Sequence, residues 1–375
     1  MKDRKKINII ILITVLFFNC NVFNKSKDNN NQRNIESLLF LSSITNCGLV
    51  KILQSSNSNC GYIQNSVCAS NSGTATVTCD STYAYIASTG IATHTMMNGI
   101  TATNLQVPIP QSFTGTNAWK IPLSPAIASS TTTPSTGPIG IAINGVPLYN
   151  PCKQEGCTST SGDTKALGEL DICNGHAGRS DDYHYHAAPT CLMAGQSSSY
   201  WDTHPVGWML DGFALYGYND ADGTVATRDS VCGGNTKTVV NGLTGYSYHV
   251  TDTFPYILSC LRGSPSPDFA GQAAKFTNLR TPPVTPFTVS SMTLTLASDT
   301  TSYNVLQFTA SSTFLSTVDN SAASITNSAG VNQIKYRQLT GTELTTALAS
   351  NSGKTSCWQF LFPNASSSTD KTFCR

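Results

Sequence analysis

The chain has 375 residues, of which 11% are charged against about 25% in typical soluble proteins, and a formal net charge of +1. Without residues 1–19 it carries 18 basic and 20 acidic residues, and no Lys/Arg cluster supplies the phosphate neutralisation that nucleic-acid binding requires. Ser, Thr, Asn and Gly take the place of surface charge, a composition that disfavours long exposed helices and predicts a mainly β, turn-rich fold.

Residues 1–19 read as an export signal: the basic "MKDRKK" precedes the apolar "INIIILITVLFF", which is too short for a permanent membrane span. Cys20 follows directly and resembles the lipidated cysteine of a bacterial lipobox, although Asn19 stands where Gly or Ala is usual. Lipidation of Cys20 would attach the protein to a membrane in the cell envelope. Residues 20–46, including "NVFNKSKDNNNQRN", are too polar to pack a core and read as a flexible tether.

Export implies an oxidising compartment. Setting Cys20 aside leaves twelve cysteines, an even number with no Cys-x-x-Cys knuckle, so disulfides are expected rather than zinc thiolates. Residues 47–80, with Cys47, Cys60, Cys68 and Cys79, read as a small stapled cap.

The next region contains a duplication. "GIAINGVPLYN" (140–150) matches "GWMLDGFALYG" (207–217), each an apolar run, an Asn-Gly or Asp-Gly pair and a second apolar run. Asn144-Gly145 and Asp211-Gly212 therefore predict two equivalent hairpins with type I′ turns. "CNGH" (173–176) and "YHYHAAPTC" (183–191) then match "CGGN" (232–235) and "YSYHVTDTFPYILSC" (246–260). The copies span about 139–191 and 207–260. They suggest equivalent disulfides Cys173–Cys191 and Cys232–Cys260, with Cys152–Cys157 closing an insertion and Cys357–Cys374 closing the last segment.

At "DDYHYHAAPTC" the chain resembles the YHYH-domain family of exported proteins, and "LDICNGH", "GWMLDGFALYG" and "YHVTDTFPYILSC" extend the resemblance from about residue 80 to 263. A YHYH domain over 81–275 is the expectation. The resemblance suggests metal binding and names no reaction. The second copy departs from the motif, with Ser247 in place of its first histidine.

All six histidines lie in this region. Taken as a strand, "YHYH" directs His184 and His186 to one face. His249 matches His186, so packing of the two copies about a pseudo-two-fold axis predicts that His184, His186 and His249 meet at a zinc or copper ion. His176, His204 and His94 are further candidate ligands, as are the carboxylates of Asp171, Asp181, Asp182 and Asp211. Two other readings stay open: a metal-free structural or adhesion protein whose Tyr and His rings are packing, and a metal-dependent hydrolase. No Gly-x-Ser-x-Gly elbow, His-Glu-x-x-His helix or phosphate-binding loop is present, so no catalytic residue is named.

Residues 276–375 are Thr- and Val-rich with period-two alternation and predict a β-rich extension. "GTELTTALASN" is the best helix candidate.

Overall fold

The computed structural model describes residues 58–69, 75–102, 106–134, 137–153, 156–237, 245–270, 275–276, 279, 288–317, 324–364 and 370–375. The expected signal, the tether, Cys20 and Cys47 lie outside these residues. Among the described residues the fold is mainly β with three short α-helices.

The expected cap contains a helix, α1 (Ser58–Ala69). Cys60, Ile63 and Val67 recur at helical spacing and are buried. The Cys60–Cys79 disulfide ties α1 to β1 (Thr76–Cys79), which forms an antiparallel sheet with β2 (Tyr83–Ala87) and β3 (Trp119–Pro122). A further strand, β4 (Ile127–Thr132), follows.

The duplicated region forms one eight-stranded sheet. The first copy supplies β5 (Pro138–Ala142), β6 (Pro147–Tyr149), β7 (Gly175–Ala177) and β8 (Tyr183–Tyr185). After a short helical turn, α2 (Thr190–Met193), the second copy supplies β9 (Gly207–Met209), β10 (Ala214–Tyr216), β11 (Gly234–Asn235) and β12 (Ser247–His249). The strand order is β11-β12-β10-β9-β5-β6-β8-β7. It reads identically from the centre outwards: hairpin, parallel motif strand, antiparallel edge strand. The seam is the antiparallel pair β5–β9, with Ile141 opposite Trp208.

Two glycines make that seam close. A Cβ at Gly140 would lie 2.8 Å from the Trp208 carbonyl oxygen, and one at Gly207 would lie 2.8 Å from that of Ile141. Helix α1 packs over the seam, where the Trp208 indole N–H donates to Ser66 Oγ at 2.9 Å.

Both expected hairpins form, but not with type I′ turns. Gly145 (φ 82°) and Gly212 (φ 88°) are left-handed, whereas Asn144 and Asp211 are not. Ala142 N–H donates to Val146 O and Gly145 N–H donates to Ala142 O; Met209, Phe213 and Gly212 repeat this pattern. These are three-residue loops, a type I turn ending in a left-handed bulge residue. The Asn144 and Asp211 side chains are buried and engaged, which favours this turn: Asn144 donates to the Tyr185 hydroxyl, and Asp211 accepts from the Tyr248 hydroxyl.

Strand β13 (Leu261–Gly263) returns to pair with β4. The C-terminal region adds β14 (Val289–Thr295), β15 (Asn304–Ala310), the hairpin of β16 (Phe314–Thr317) and β17 (Ser324–Asn327), and β18 (Gly330–Gln338). Helix α3 (Gly341–Ala349), at the expected place, and strands β19 (Cys357–Leu361) and β20 (Asp370–Cys374) complete it. Its main sheet, ordered β14-β15-β18-β19-β20, is joined to the segment before β3 by hydrogen bonds such as Gly99 N–H to Met292 O and Tyr336 Oη–H to Pro108 O. Arg375 donates to Gln111 Oε1 at 2.9 Å and to the Pro110 carbonyl.

The four cysteine pairs expected from spacing and duplication all form. Every cysteine among the described residues, Cys68 included, is disulfide-bonded.

Candidate metal centre

Strand β8 carries Tyr183, His184 and Tyr185, with His186 just beyond it. Alternation turns both tyrosines to one side: the Tyr183 hydroxyl donates to Asp171 Oδ2 at 2.7 Å, and the Tyr185 hydroxyl meets Asn144 and His94. The histidines face the other way. The neighbouring strand β7 places His176 directly opposite His184.

Three imidazoles therefore converge through their Nε2 atoms. His184 Nε2 lies 3.0 Å from His186 Nε2, which lies 3.1 Å from His176 Nε2. The three form a group with ligand atoms all within 4.8 Å of one another. His184 and His186 are each only 3% exposed, and His176 is half-buried.

The far side of each ring fixes its proton. His184 Nδ1 faces two acceptors of Asp182, Oδ2 at 3.0 Å and the backbone carbonyl at 3.1 Å. His186 Nδ1 faces the Asn150 carbonyl. His176 bonds to the Glu169 backbone. A nitrogen that faces only acceptors carries its hydrogen, so a neutral ring at His184 or His186 presents its Nε2 lone pair to the cluster. A cation among these Nε2 atoms would satisfy their lone pairs. Burial, then repulsion from His184, pushes His186 down to about 3, and burial, then His184 and His186, holds His176 well below its usual value, so these two rings are neutral at neutral pH. A metal ion suits the arrangement. Carboxylate and carbonyl groups behind the ligands are the usual orienting partners of metal-bound histidine. Tyr149 stacks on His184 at 3.8 Å between ring centroids, and its hydroxyl donates to Asp182 at 3.3 Å.

His249 does not join this cluster, contrary to the expected convergence of His184, His186 and His249. Strands β8 and β12 are separated by five inter-strand steps of roughly 4.8 Å, or about 24 Å. The copies meet through their hairpins, which leaves the motif strands in the outer halves of the sheet.

The other candidates are engaged elsewhere. His204 stacks on Tyr200 at 3.8 Å, and its Nδ1 lies 2.9 Å from the Tyr200 carbonyl. His94 Nε2 lies 2.6 Å from the Tyr185 hydroxyl, on the tyrosine side of β8. His94 is also grouped with Cys173 and Cys191, but those sulfurs are joined in a disulfide and offer no thiolate. Asp181 Oδ1 accepts the Val107 N–H at 2.8 Å. Asp211 Oδ2 accepts from Tyr248 Oη–H, Arg262 N–H and Gly263 N–H.

Residues 118–231 match the family model described as YHYH protein. These residues form a YHYH domain. The match is shorter than the expected 80–263: it contains all three converging histidines, Asp182 and both hairpins, and it ends before β12 and His249. No curated protein and no solved structure matches the chain.

Proposed function

We propose that the YHYH domain binds one transition metal ion, zinc or copper, through Nε2 of His176, His184 and His186, in a protein held at the cell envelope by a lipid on Cys20. The observation that carries the metal reading is the pair of Nε2 atoms 3.0 Å apart on His184 and His186, each ring with an acceptor behind its Nδ1. Packing alone gives no reason to bury two such nitrogens together. Neutral imidazole is the commonest ligand for such metals, and three of them leave a further coordination position for water or another small ligand. The envelope reading is supported by the apolar segment before Cys20 and by the disulfides throughout the described residues.

The test is metal analysis of protein folded under oxidising conditions, wild type beside His186→Ala and His249→Ala. The expected result is one equivalent per chain in wild type and in His249→Ala, and none in His186→Ala. Wild-type protein that takes up neither zinc nor copper would contradict the proposal.

A further inference from the structure

The pseudo-two-fold repeat gives the converging histidines a structural counterpart, and strand register identifies its members. His176 stands opposite His184 across β7–β8, and Asn235 stands opposite Ser247 across β11–β12. Leu148 pairs with Tyr185 across β6–β8, and Leu215 pairs with Tyr248 across β10–β12, both in parallel. His176, His184 and His186 thus correspond to Asn235, Ser247 and His249. The acceptor behind the last ring is kept as well: His249 Nδ1–H donates to the Gly217 carbonyl at 3.1 Å, as His186 Nδ1–H donates to Asn150. His249 Nε2 is the counterpart of His186 Nε2.

What it meets is a carboxylate. Asp220 Oδ1 lies 3.5 Å from His249 Nε2, and the two residues are 2% and 1% exposed. A buried carboxylate calls for a cation or donors beside it. Lys237 supplies one, with Nζ 2.5 Å from Asp220 Oδ2 and 3.7 Å from Asp222 Oδ2. Asn235 Nδ2 donates to Asp220 Oδ1 at 2.8 Å. Ser247, in the place of His184, is 2% exposed, and its Oγ has no hydrogen-bond partner among the described residues. The residues at these places offer imidazole nitrogen, carboxylate and, two residues before His249 on the same strand, a hydroxyl, and the Lys237 side chain on the carboxylate is 48% exposed.

We propose that the second half holds a cation site whose occupant is the chain's own Lys237 ammonium, and that this site accepts a divalent metal ion of zinc type once the lysine is withdrawn. The donors match such an ion, since imidazole and carboxylate are both common zinc ligands. An ammonium tethered beside the same carboxylate outcompetes a free ion, because its local concentration is set by the chain. The inference takes only the equivalence of the two halves from the first site, and it stands whether or not that site binds metal.

Zinc is titrated calorimetrically into His186→Ala and into His186→Ala/Lys237→Met, with the first site silenced in both. The expected result is no binding in the former and one equivalent in the latter, abolished by adding His249→Ala. Lys237→Gln serves as a second withdrawal variant, and thermal unfolding checks that each is folded. Folded Lys237 variants that gain no zinc, or a gained equivalent that survives loss of His249, would overturn the proposal. Wild-type protein without metal would defeat the first-site reading alone, because the equivalent gained on withdrawing Lys237 is read separately.

Discussion

At the scale of single residues, the centre depends on what stands behind each imidazole. Asp182 accepts from His184 Nδ1 at 3.0 Å and so holds that ring with Nε2 forward. Asp182→Asn keeps the shape and loses the charge, and metal affinity is expected to fall by about 10–100-fold, read by competition with a coloured chelator. The metal-free protein carries a pH signature. Unfolded histidine takes up a proton near its usual 6.5, whereas burial holds His186 to about 3 in the fold. Below pH 6.5 the unfolded chain binds more protons, so stability present above that pH is lost progressively as pH falls towards 3. Denaturant unfolding of stripped protein, wild type beside His186→Gln, should show a shallower loss in the variant; identical profiles would argue against the assignment. Much of this centre was legible in sequence. Strand alternation put His184 and His186 on one face, and the match of "CNGH" to "CGGN" set His176 against Asn235. The Asn150 carbonyl was not legible, because a backbone acceptor has no residue signature. Tyr149 was seen only as part of the repeat, since stacking on His184 requires the parallel pairing of β6 with β8.

At the scale of elements, Asn-Gly and Asp-Gly correctly marked two hairpins, but the turn type depended on where Asn144 and Asp211 find partners. Their contacts with Tyr185 and Tyr248 tie each turn to the motif strand of its own copy. The pairing of the two copies was misread for a related reason. A duplication states that two units are alike and not which edges meet. The clue lay in Gly140 and Gly207, equivalent glycines at the places where neighbouring backbones approach too closely for a Cβ. Helix α1 escaped notice because its Ser, Asn and Gly content masks the spacing of Cys60, Ile63 and Val67. Gly212→Ala would force a side chain onto φ 88° and set its Cβ 2.6 Å from the Pro122 carbonyl. A loss of about 1–3 kcal/mol is expected in denaturant unfolding, and an unchanged midpoint would contradict the turn assignment.

At the scale of the whole molecule, one unit carries three imidazoles where its twin carries Asn235, Ser247 and His249. The disulfides separate the two roles. Cys173–Cys191 encloses all three converging histidines, and Cys232–Cys260 encloses their counterparts. Removing either bridge with a double Cys→Ala variant should cost about 2–4 kcal/mol of stability. Only loss of Cys173–Cys191 should also weaken metal binding, as measured by unfolding and metal titration on the same samples. The β-rich C-terminal region was legible from alternation, but its attachment was not. That attachment runs through backbone groups of Gly99, Thr101, Pro108 and Pro110 and through the last residue, Arg375, whose guanidinium reaches the segment held by Asp181. X-ray absorption at the edge of the bound metal reads the ligand set itself. The expected first shell has three imidazole nitrogens at about 2.0–2.1 Å and no sulfur. A shell containing sulfur, or one unchanged in His184→Ala, would contradict it.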